Sequence, residues 1–373
     1  NNLLDPGKTP EENLQFLVFL TAVLRAVYFY GDLLRASIAS AGNDHRLGAN
    51  EAPPAIMSVF LGDQLTAILD AIKAGKAARA TNESIIDLGI GQLPKMLRDY
   101  TDRNRTSPFA FTGNKFEFRA IGSSASVSMA NTVLGAAVAD SLDVLSAEIE
   151  KETGKGAELK VAVLSVLRKH IKETEPIRFN GNNYSKEWEQ EAARRNLPNI
   201  RNSAYALDAL VAPKNIEMLV RQRTFTRTEL EARYHTKLEQ FIKALQIEAE
   251  TLIHMTDTLV IPAAIGYQER LVKTVRGLKT LQEELGGVVF ASEVELLKRI
   301  TELIEQCGQK TRALKAAMVR AEGMEDLSKC AKFVADHIRP LMEELRKPVD
   351  ELEVTIDDES WPLPRYSEML FIL

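Results

Sequence analysis

Cysteine is almost absent from this sequence, which has two in 373 residues, Cys307 and Cys330. They lie on separate predicted helical segments, and neither belongs to a Cys-x-x-Cys pattern. This arrangement argues against a zinc site. It indicates reduced thiols in the core of a cytoplasmic protein.

Long apolar runs and an excess of basic charge are also lacking. The longest apolar run, Leu14–Tyr30, is interrupted by Arg25 and is short for a bilayer crossing, so we interpret it as a buried helix. The net charge is −5 and the basic residues are scattered, which argues against nucleic acid or a membrane as partner. No signal peptide is visible. The sequence begins at Asn1 in the middle of a pattern, which favours a fragment of a longer chain.

Familiar catalytic sequences are missing too. There is no Gly-x-Ser-x-Gly or Walker sequence, and the segment Leu88–Pro94 has only two of the glycines of a dinucleotide fingerprint. The histidines are scattered along helical segments without the spacing of metal ligands, so we expect surface or satisfied core histidines at His170, His235, His254 and His337.

Local patterns predict a mixed first part of the chain. Thr9 as cap, Pro10 in the first turn and Glu12 as capping-box partner predict a helix that runs to about Ala39 and ends before Gly42. The further predicted elements are a helix over Ala55–Gly75, a strand over Ser84–Ile90, a hairpin over Phe109–Ile121 around a Thr-Gly-Asn turn, and a helix over Ser128–Thr153.

After Gly156 the strand signals nearly vanish and long helices are predicted. Apolar stripes of bundle type are formed by Leu230, Tyr234, Leu238, Phe241, Leu245 and Leu252, and by Leu296, Ile300, Leu303, Ile304, Cys307 and Leu314. A third helix is expected from about Glu325 to Val354, kinked at Pro340 and Pro348. We therefore predict an α+β, predominantly helical protein. Residues 1–155 would form helices around a small antiparallel sheet, and residues 156–373 a long-helix bundle with a tail that docks back.

The loop Ser40–Ala55 holds much charge between two predicted helices. Its glycines and prolines limit backbone freedom, so Arg46 and Glu51 are held rather than loose. An arginine in such a loop suits a carboxylate or a phosphate, because its planar fork donates two parallel hydrogen bonds. The alternative is a solvated loop whose charges pair with each other.

A second charged cluster lies on the predicted hairpin. Lys115, Glu117 and Arg119 alternate along one strand and therefore point to one face. They suit a metal–phosphate complex, with Glu117 on the metal and the two cations on phosphoryl oxygens. The alternative is an exposed face with ion pairs. Arg105, just upstream, adds a further cation.

The two clusters, in this order, resemble glutamine synthetase. The loop "NDHRLGANEAP" is similar to that family's Asn-x-x-x-Arg-Leu-x-x-x-x-Glu-Ala-Pro, although it is one residue shorter between Asn43 and Arg46. Asn104-Arg105 and "KFEFR" (Lys115–Arg119) follow, and then Asn131. The segments "NRTSPFAFTGNKFEFRAIGSS", "NYSKEWEQEAARRNLPN" and "WPLPRYSEMLF" resemble the type III branch, so the resemblance covers essentially the whole chain.

The resemblance implies an ATP-dependent ligase of nitrogen metabolism that makes glutamine. The side-chain carboxylate of glutamate would attack the γ-phosphate of ATP, and ammonia would displace phosphate from γ-glutamyl phosphate, with Mg²⁺ or Mn²⁺ holding the phosphates. By resemblance, Arg46, Glu51 and Arg119 would bind glutamate, and Glu51 would also take a proton from ammonium. Arg105 would be catalytic and, with Lys115, would contact ATP. Glu117 would be a metal ligand.

Departures from the family limit this expectation. A second arginine that many members of the shorter branches have is replaced by Ala110, and the segment that carries the β-grasp domain and most metal-binding glutamates precedes the family's equivalent of Asn1. We therefore expect this chain to be inactive alone, and expect the complete protein to be a homo-oligomer with active sites between subunits. The alternatives are a non-catalytic helical interaction or regulatory protein with a degenerate ligase core, and a different kinase-like enzyme.

Overall fold

The computed structural model describes residues 2–48, 52–76 and 106–370, except the side chains of 366–367, together with the backbone of 85–86 and 96–97. The chain divides into two compact units, Asn1–Lys237 and Leu238–Leu373. The domain boundary predicted after residue 155 falls inside the first unit. It stays a prediction about the organisation of the complete protein.

The first unit is mainly helical. Its helices are α1 (Leu14–Phe29), α2 (Gly31–Ser37), α3 (Ala41–Asp44), α4 (Gly62–Ala74), α5 (Ser128–Gly154), α6 (Leu159–Glu173), α7 (Lys186–Arg194), α8 (Ser203–Ala206), α9 (Pro213–Arg221) and the start of α10 (Arg227–Met255). The strands are β1 (Val59–Phe60), β2 (Ile85–Ile86), β3 (Met96–Leu97), β4 (Phe109–Phe111) and β5 (Phe116–Phe118). Short 3₁₀ turns lie at Glu175–Ile177 and Leu207–Val211. The α+β, predominantly helical prediction is confirmed.

The sheet that carries the candidate site has the strand order β1-β4-β5. The hairpin prediction is confirmed, because β4 and β5 are antiparallel, with Ala110 opposite Glu117. The small sheet, predicted as antiparallel, is mixed, since β1 runs parallel to β4. Parallel pairing requires a long connection, and residues 61–108 supply it. The predicted strand Ser84–Ile90 is described only at β2, which pairs antiparallel with β3.

The predicted start of the first helix is wrong. Thr9 opens a turn rather than a helix, and α1 is capped by Asn13, whose side chain accepts a hydrogen bond from the Phe16 amide. The expected single helix is also broken at Tyr30, where α1 and α2 meet at a bend of 76°. The α3 turn then occupies part of the segment Ser40–Ala55, which the sequence predicts as a loop.

The predicted helix Ala55–Gly75 is correct only from Gly62 onward. Residues before it form β1, whose Val59 carbonyl accepts a hydrogen bond from the Phe179 amide. The Asn180 side chain accepts from the amides of Leu61 and Gly62 at 3.1 and 3.2 Å, and so caps α4. These partners lie more than a hundred residues away, which is why local periodicity could not show them. The predicted glycine stop is confirmed, since Gly75 has the left-handed φ of 70°.

The second unit is a set of packed long helices. It contains the rest of α10, a π-helical turn (Thr256–Val260), α11 (Ile261–Leu285), α12 (Ala291–Glu322), α13 (Leu327–Phe333), a second π-helical turn (Val334–Ile338), α14 (Arg339–Thr355) and α15 (Tyr366–Leu370). Helix α12 packs against both α11 and α14. The predicted stripes are confirmed at the buried positions Leu238, Phe241, Leu245, Ile300, Leu303, Cys307 and Leu314.

Both π-helical turns directly precede a helix with proline at its second position, Pro262 in α11 and Pro340 in α14. Proline has no amide hydrogen and its ring clashes with the carbonyl one turn earlier, so a wider turn relieves the conflict. The kink predicted at Pro340 thus takes the form of a π turn, whereas α14 continues through Pro348.

The remaining expectations concern the membrane, the thiols and the tail. Within the described residues no single helix has both the length and the apolarity to cross a bilayer; α1 and α2 reach that threshold only as a bent pair. Cys307 and Cys330 are buried and free, as predicted. The tail begins with buried Trp361, while Met369 and Leu370 are exposed.

Candidate functional site

The charged trio predicted on the hairpin lies on one face. The Glu117 carboxylate accepts hydrogen bonds of 3.1 and 3.0 Å from Nε and Nη2 of Arg119. The ammonium of Lys115 lies 3.8 Å from its other oxygen, and Thr112 donates to that oxygen at 3.2 Å. The alternative of an exposed face with ion pairs is therefore partly realised, because the three charges pair with one another along the strand rather than across strands.

The electrostatics of the trio favour an ionised Glu117. The hydrogen bond from Arg119 holds the pKa of the Glu117 carboxyl below its ordinary value, against a smaller opposing effect of burial. The Arg119 side chain is only 14% exposed, whereas that of Lys115 is 64% exposed. Arg119 is thus a largely buried cation at the wall of the sheet, and Lys115 is an exposed one at its rim.

Arg46 lies beside the end of the same strand. Its Nη1 donates to Oδ1 of Asn43 at 2.9 Å, and the Asn43 amide donates to the Ala120 carbonyl at 2.9 Å. A side chain at Gly122 would place its Cβ 3.8 Å from Nη1 of Arg46, an ordinary contact distance, so the Gly122 backbone lies close to the guanidinium. The structure therefore brings Arg46 close to the strand end that carries Arg119.

The turn before Arg46 is held by a buried charge pair that sequence reasoning missed. Nη2 of Arg35 lies 3.0 Å from Oδ1 of Asp44, and the two side chains are 1% and 2% exposed. Burial lowers the pKa of Arg35 from its ordinary value, and the attraction of Asp44 opposes that effect. The sequence does contain a signal for this buried pair, because Arg35 lies inside an otherwise apolar helical stretch.

Two of the predicted site residues, Glu51 and Arg105, lie outside the described residues, so their positions stay predictions.

Ser107, a described neighbour of Arg105 in the chain, is held by buried hydrogen bonds. Ser107 accepts a hydrogen bond of 3.1 Å from the Asn183 amide, and Ser58 donates to the Asn183 oxygen at 2.7 Å. All three side chains are buried.

A second buried carboxylate that sequence reasoning missed lies away from the hairpin. Asp140 in α5 accepts a hydrogen bond of 2.8 Å from the Tyr30 hydroxyl and a further one from Arg221. Arg25 lies 3.7 Å from the same carboxylate. Burial, reinforced by the bond to Asp140, raises the pKa of Tyr30 to about 12. This cluster fixes the bend between α1 and α2, and so the start of the segment that leads to Arg46.

The described residues include few side chains that could bind a metal ion. No group of three or more histidine, cysteine, aspartate or glutamate side chains in the described ranges could hold one. Glu117 is the carboxylate that the hairpin offers, and both of its oxygens are engaged by protein donors. Mg²⁺ usually takes one or two carboxylates with substrate phosphates and water. A cation at Glu117 would therefore require ligands from elsewhere.

Comparisons with known proteins place these observations in context. The glutamine synthetase C-terminal domain matches residues 162–279. The chain is 44% identical over 374 residues to the glutamine synthetase of Bacteroides fragilis (strain YCH46), covering 99% of this chain and 51% of that protein. It is 38% identical over 373 residues to the Type-3 glutamine synthetase of Dictyostelium discoideum, covering 100% and 51%. It is 39% identical over 375 residues to the glutamine synthetase of Butyrivibrio fibrisolvens, covering 100% and 52%. The chain spans about half the length of the curated relatives it matches.

Proposed function

Because this chain belongs to the glutamine synthetase family, we propose that it supplies the glutamate-binding part of an ATP-dependent ligase that joins glutamate and ammonia. The similarity to a protein named Type-3 glutamine synthetase confirms the resemblance seen in the motifs. The proposed reaction passes through γ-glutamyl phosphate, with glutamate, ammonia and ATP as substrates.

One observation carries the proposal. Asn43 holds the guanidinium of Arg46 beside the end of β5, where Arg119 precedes the carbonyl that Asn43 binds. Two arginines held at one strand end favour a carboxylate substrate, because guanidinium groups form strong, charge-assisted hydrogen bonds with carboxylates. A solvated loop whose charges pair among themselves would not need this link to the sheet.

The remaining roles follow the family pattern. Arg46 and Arg119 orient the carboxylates of glutamate, and Glu51 closes over the intermediate and takes a proton from ammonium. Arg105 and Lys115 neutralise the phosphates of ATP. The divalent cations that the reaction takes supply charge neutralisation at those phosphates. Glu117 would contribute one ligand.

We further propose that the chain needs a complementary segment for activity. The curated relatives are about twice as long as the part that this chain covers. The described hairpin offers one carboxylate for a cation, which is fewer than a reaction with several phosphate-bound cations requires. Active sites between the subunits of a homo-oligomer are part of the same proposal.

The test is complementation. The chain is assayed for γ-glutamyl transfer and for glutamate-dependent phosphate release, alone and together with the half of the Bacteroides fragilis enzyme that this chain does not cover. We expect activity only in the second case, and we expect Arg46→Ala to weaken it strongly when glutamate is below saturation. Inactivity in both cases, with the two pieces shown to associate and fold, would instead favour a non-catalytic interaction protein.

A further inference from the structure

A short segment between α7 and α8 reaches the turn from which Arg46 projects. Nε of Arg35 donates to the carbonyl of Ile200 at 2.9 Å, and Nη2 of Arg35 lies 3.4 Å from the carbonyl of Arg201. Ser203, at the start of α8, contacts Asp44. All three segment residues lie within residues 162–279, where the glutamine synthetase C-terminal domain matches.

Ser203 binds both oxygens of the Asp44 carboxylate. Its amide donates to Oδ2 at 2.7 Å, and its hydroxyl lies 2.6 Å from Oδ1 and 3.1 Å from the Ser40 carbonyl. The hydroxyl has a single proton, so the shorter contact to the charged oxygen is the hydrogen bond. With Arg35 on Oδ1 as well, the carboxylate has donors on both oxygens and is fixed in orientation.

The fixed carboxylate lies two residues before Arg46. Asp44 is the last residue of α3, and the amides of Arg46 and Leu47 both donate to the Asn43 carbonyl at 3.1 Å. A rotation or displacement of α3 would therefore carry the Arg46 backbone with it. Because a small misplacement of a substrate-binding group costs much of its effect, the anchor of α3 bears on binding.

We propose that Ser203 and Arg35 are positioning residues for Arg46, so that the C-terminal domain sets the geometry of the glutamate site through the Asp44 carboxylate. The inference rests on the proposed role of Arg46 in binding glutamate. It gives the region after residue 156 a part in substrate binding, in addition to any contacts with other subunits.

The position of the charge pair favours this role over a purely structural one. A buried ion pair contributes little net stability compared with apolar residues of similar size, because both charges lose their hydration. A pair used for stability could lie anywhere in the core. This one joins a turn of the predicted glutamate loop to residues more than 150 positions later in the chain.

The test compares Ser203→Ala with a matched control in the complemented enzyme. Thr174→Ala is the control, because Thr174 is also buried in the first unit and donates its hydroxyl to the His170 carbonyl at 2.8 Å. We expect Ser203→Ala to raise the glutamate KM about fivefold, with the ATP KM and kcat changed by less than about twofold. The control should lower the melting temperature to a similar extent without changing the glutamate KM.

A second measurement does not depend on activity. Hydrogen exchange of the Arg46 and Leu47 amides in the chain alone should be faster in Ser203→Ala and unchanged in the control. Arg35→Lys, which keeps the charge but loses the Nε–H group that donates to the Ile200 carbonyl, serves as a second variant if the first fails to fold. A variant that leaves both the exchange rates and the glutamate KM unchanged would overturn the positioning role. An inactive complemented wild type would contradict the proposed function, while the exchange measurement would still decide the positioning role.

Discussion

The side-chain nitrogen of Asn43 lies 2.9 Å from the carbonyl oxygen of Ala120, and this bond ties the α3 turn to the end of β5. The same nitrogen donates to the Ile38 carbonyl at 2.9 Å, while the side-chain oxygen accepts from Arg46. The Asn43 side chain thus uses both its amide protons and its oxygen. Through it, a residue of the predicted glutamate loop meets the strand that bears Arg119.

Asn43→Ala should lower both stability and glutamate binding. It removes three hydrogen bonds and leaves two carbonyls without this donor, which should cost about 3 kcal/mol of unfolding free energy. Chemical denaturation measures the loss. Asn114→Ala, at the exposed tip of the hairpin, is the control and should change the unfolding free energy little. Equal stability of the two variants would contradict the role of Asn43 as the link.

Glu117→Gln should change the pH dependence of stability. Since Arg119 depresses the pKa of Glu117, the ionised carboxylate stabilises the fold above its ordinary pKa, and that contribution is lost as the pH falls through the depressed value. The melting temperature of the wild type should therefore exceed that of the variant near neutral pH, and the difference should vanish in acid. Glu150→Gln, at an exposed position in α5, controls for general charge effects. Parallel profiles for wild type and Glu117→Gln would show that the Arg119 bond is not formed.

Tyr30→Phe should make the unfolding free energy less sensitive to alkaline pH. The folded pKa of Tyr30 is raised from 10.0 to about 12, so its contribution is fully present below pH 10 and is lost as the pH rises towards 12. Unfolding free energies measured across this range should fall more steeply for the wild type than for Tyr30→Phe. The same slope in both proteins would mean that the Tyr30 hydroxyl is not held by Asp140.

The two thiols should react only after unfolding. Burial raises the pKa of the Cys307 thiol to about 11 and also raises that of Cys330, so both stay neutral at ordinary pH. Thiol titration with a maleimide should find no fast-reacting group in the folded chain and two in denaturant. Fast labelling of Cys307 in the folded protein would contradict the packing of α12.

Local sequence patterns were enough to predict the helices and strands whose partners are near in the chain. The hairpin between Phe109 and Phe118 needs only a turn and two alternating strands, and α5 ends at Gly154 as its pattern indicates. The stripes of α10 and α12 repeat at bundle spacing, so their buried faces could also be read directly.

Other features depend on distant partners and could not be predicted locally. β1 exists because Val59 pairs with Phe109 and bonds Phe179, although the segment has helical periodicity. Asp44 looked like one of several loop charges, yet its partners are Arg35 and Ser203. The motif order indicated that Arg46 belongs with the Lys115–Arg119 strand; it did not show that Asn43 makes the connection.

The most direct test of the central claim is the glutamate KM of the complemented enzyme with Arg46→Ala. Arg194→Ala is the control, because Arg194 is an exposed arginine of α7 that pairs with Glu191 away from the hairpin. We predict that Arg46→Ala raises the glutamate KM on the order of 100-fold while the ATP KM changes little, since a bidentate carboxylate contact is lost. A glutamate KM equal to that of the control would contradict the placement of the substrate at Arg46.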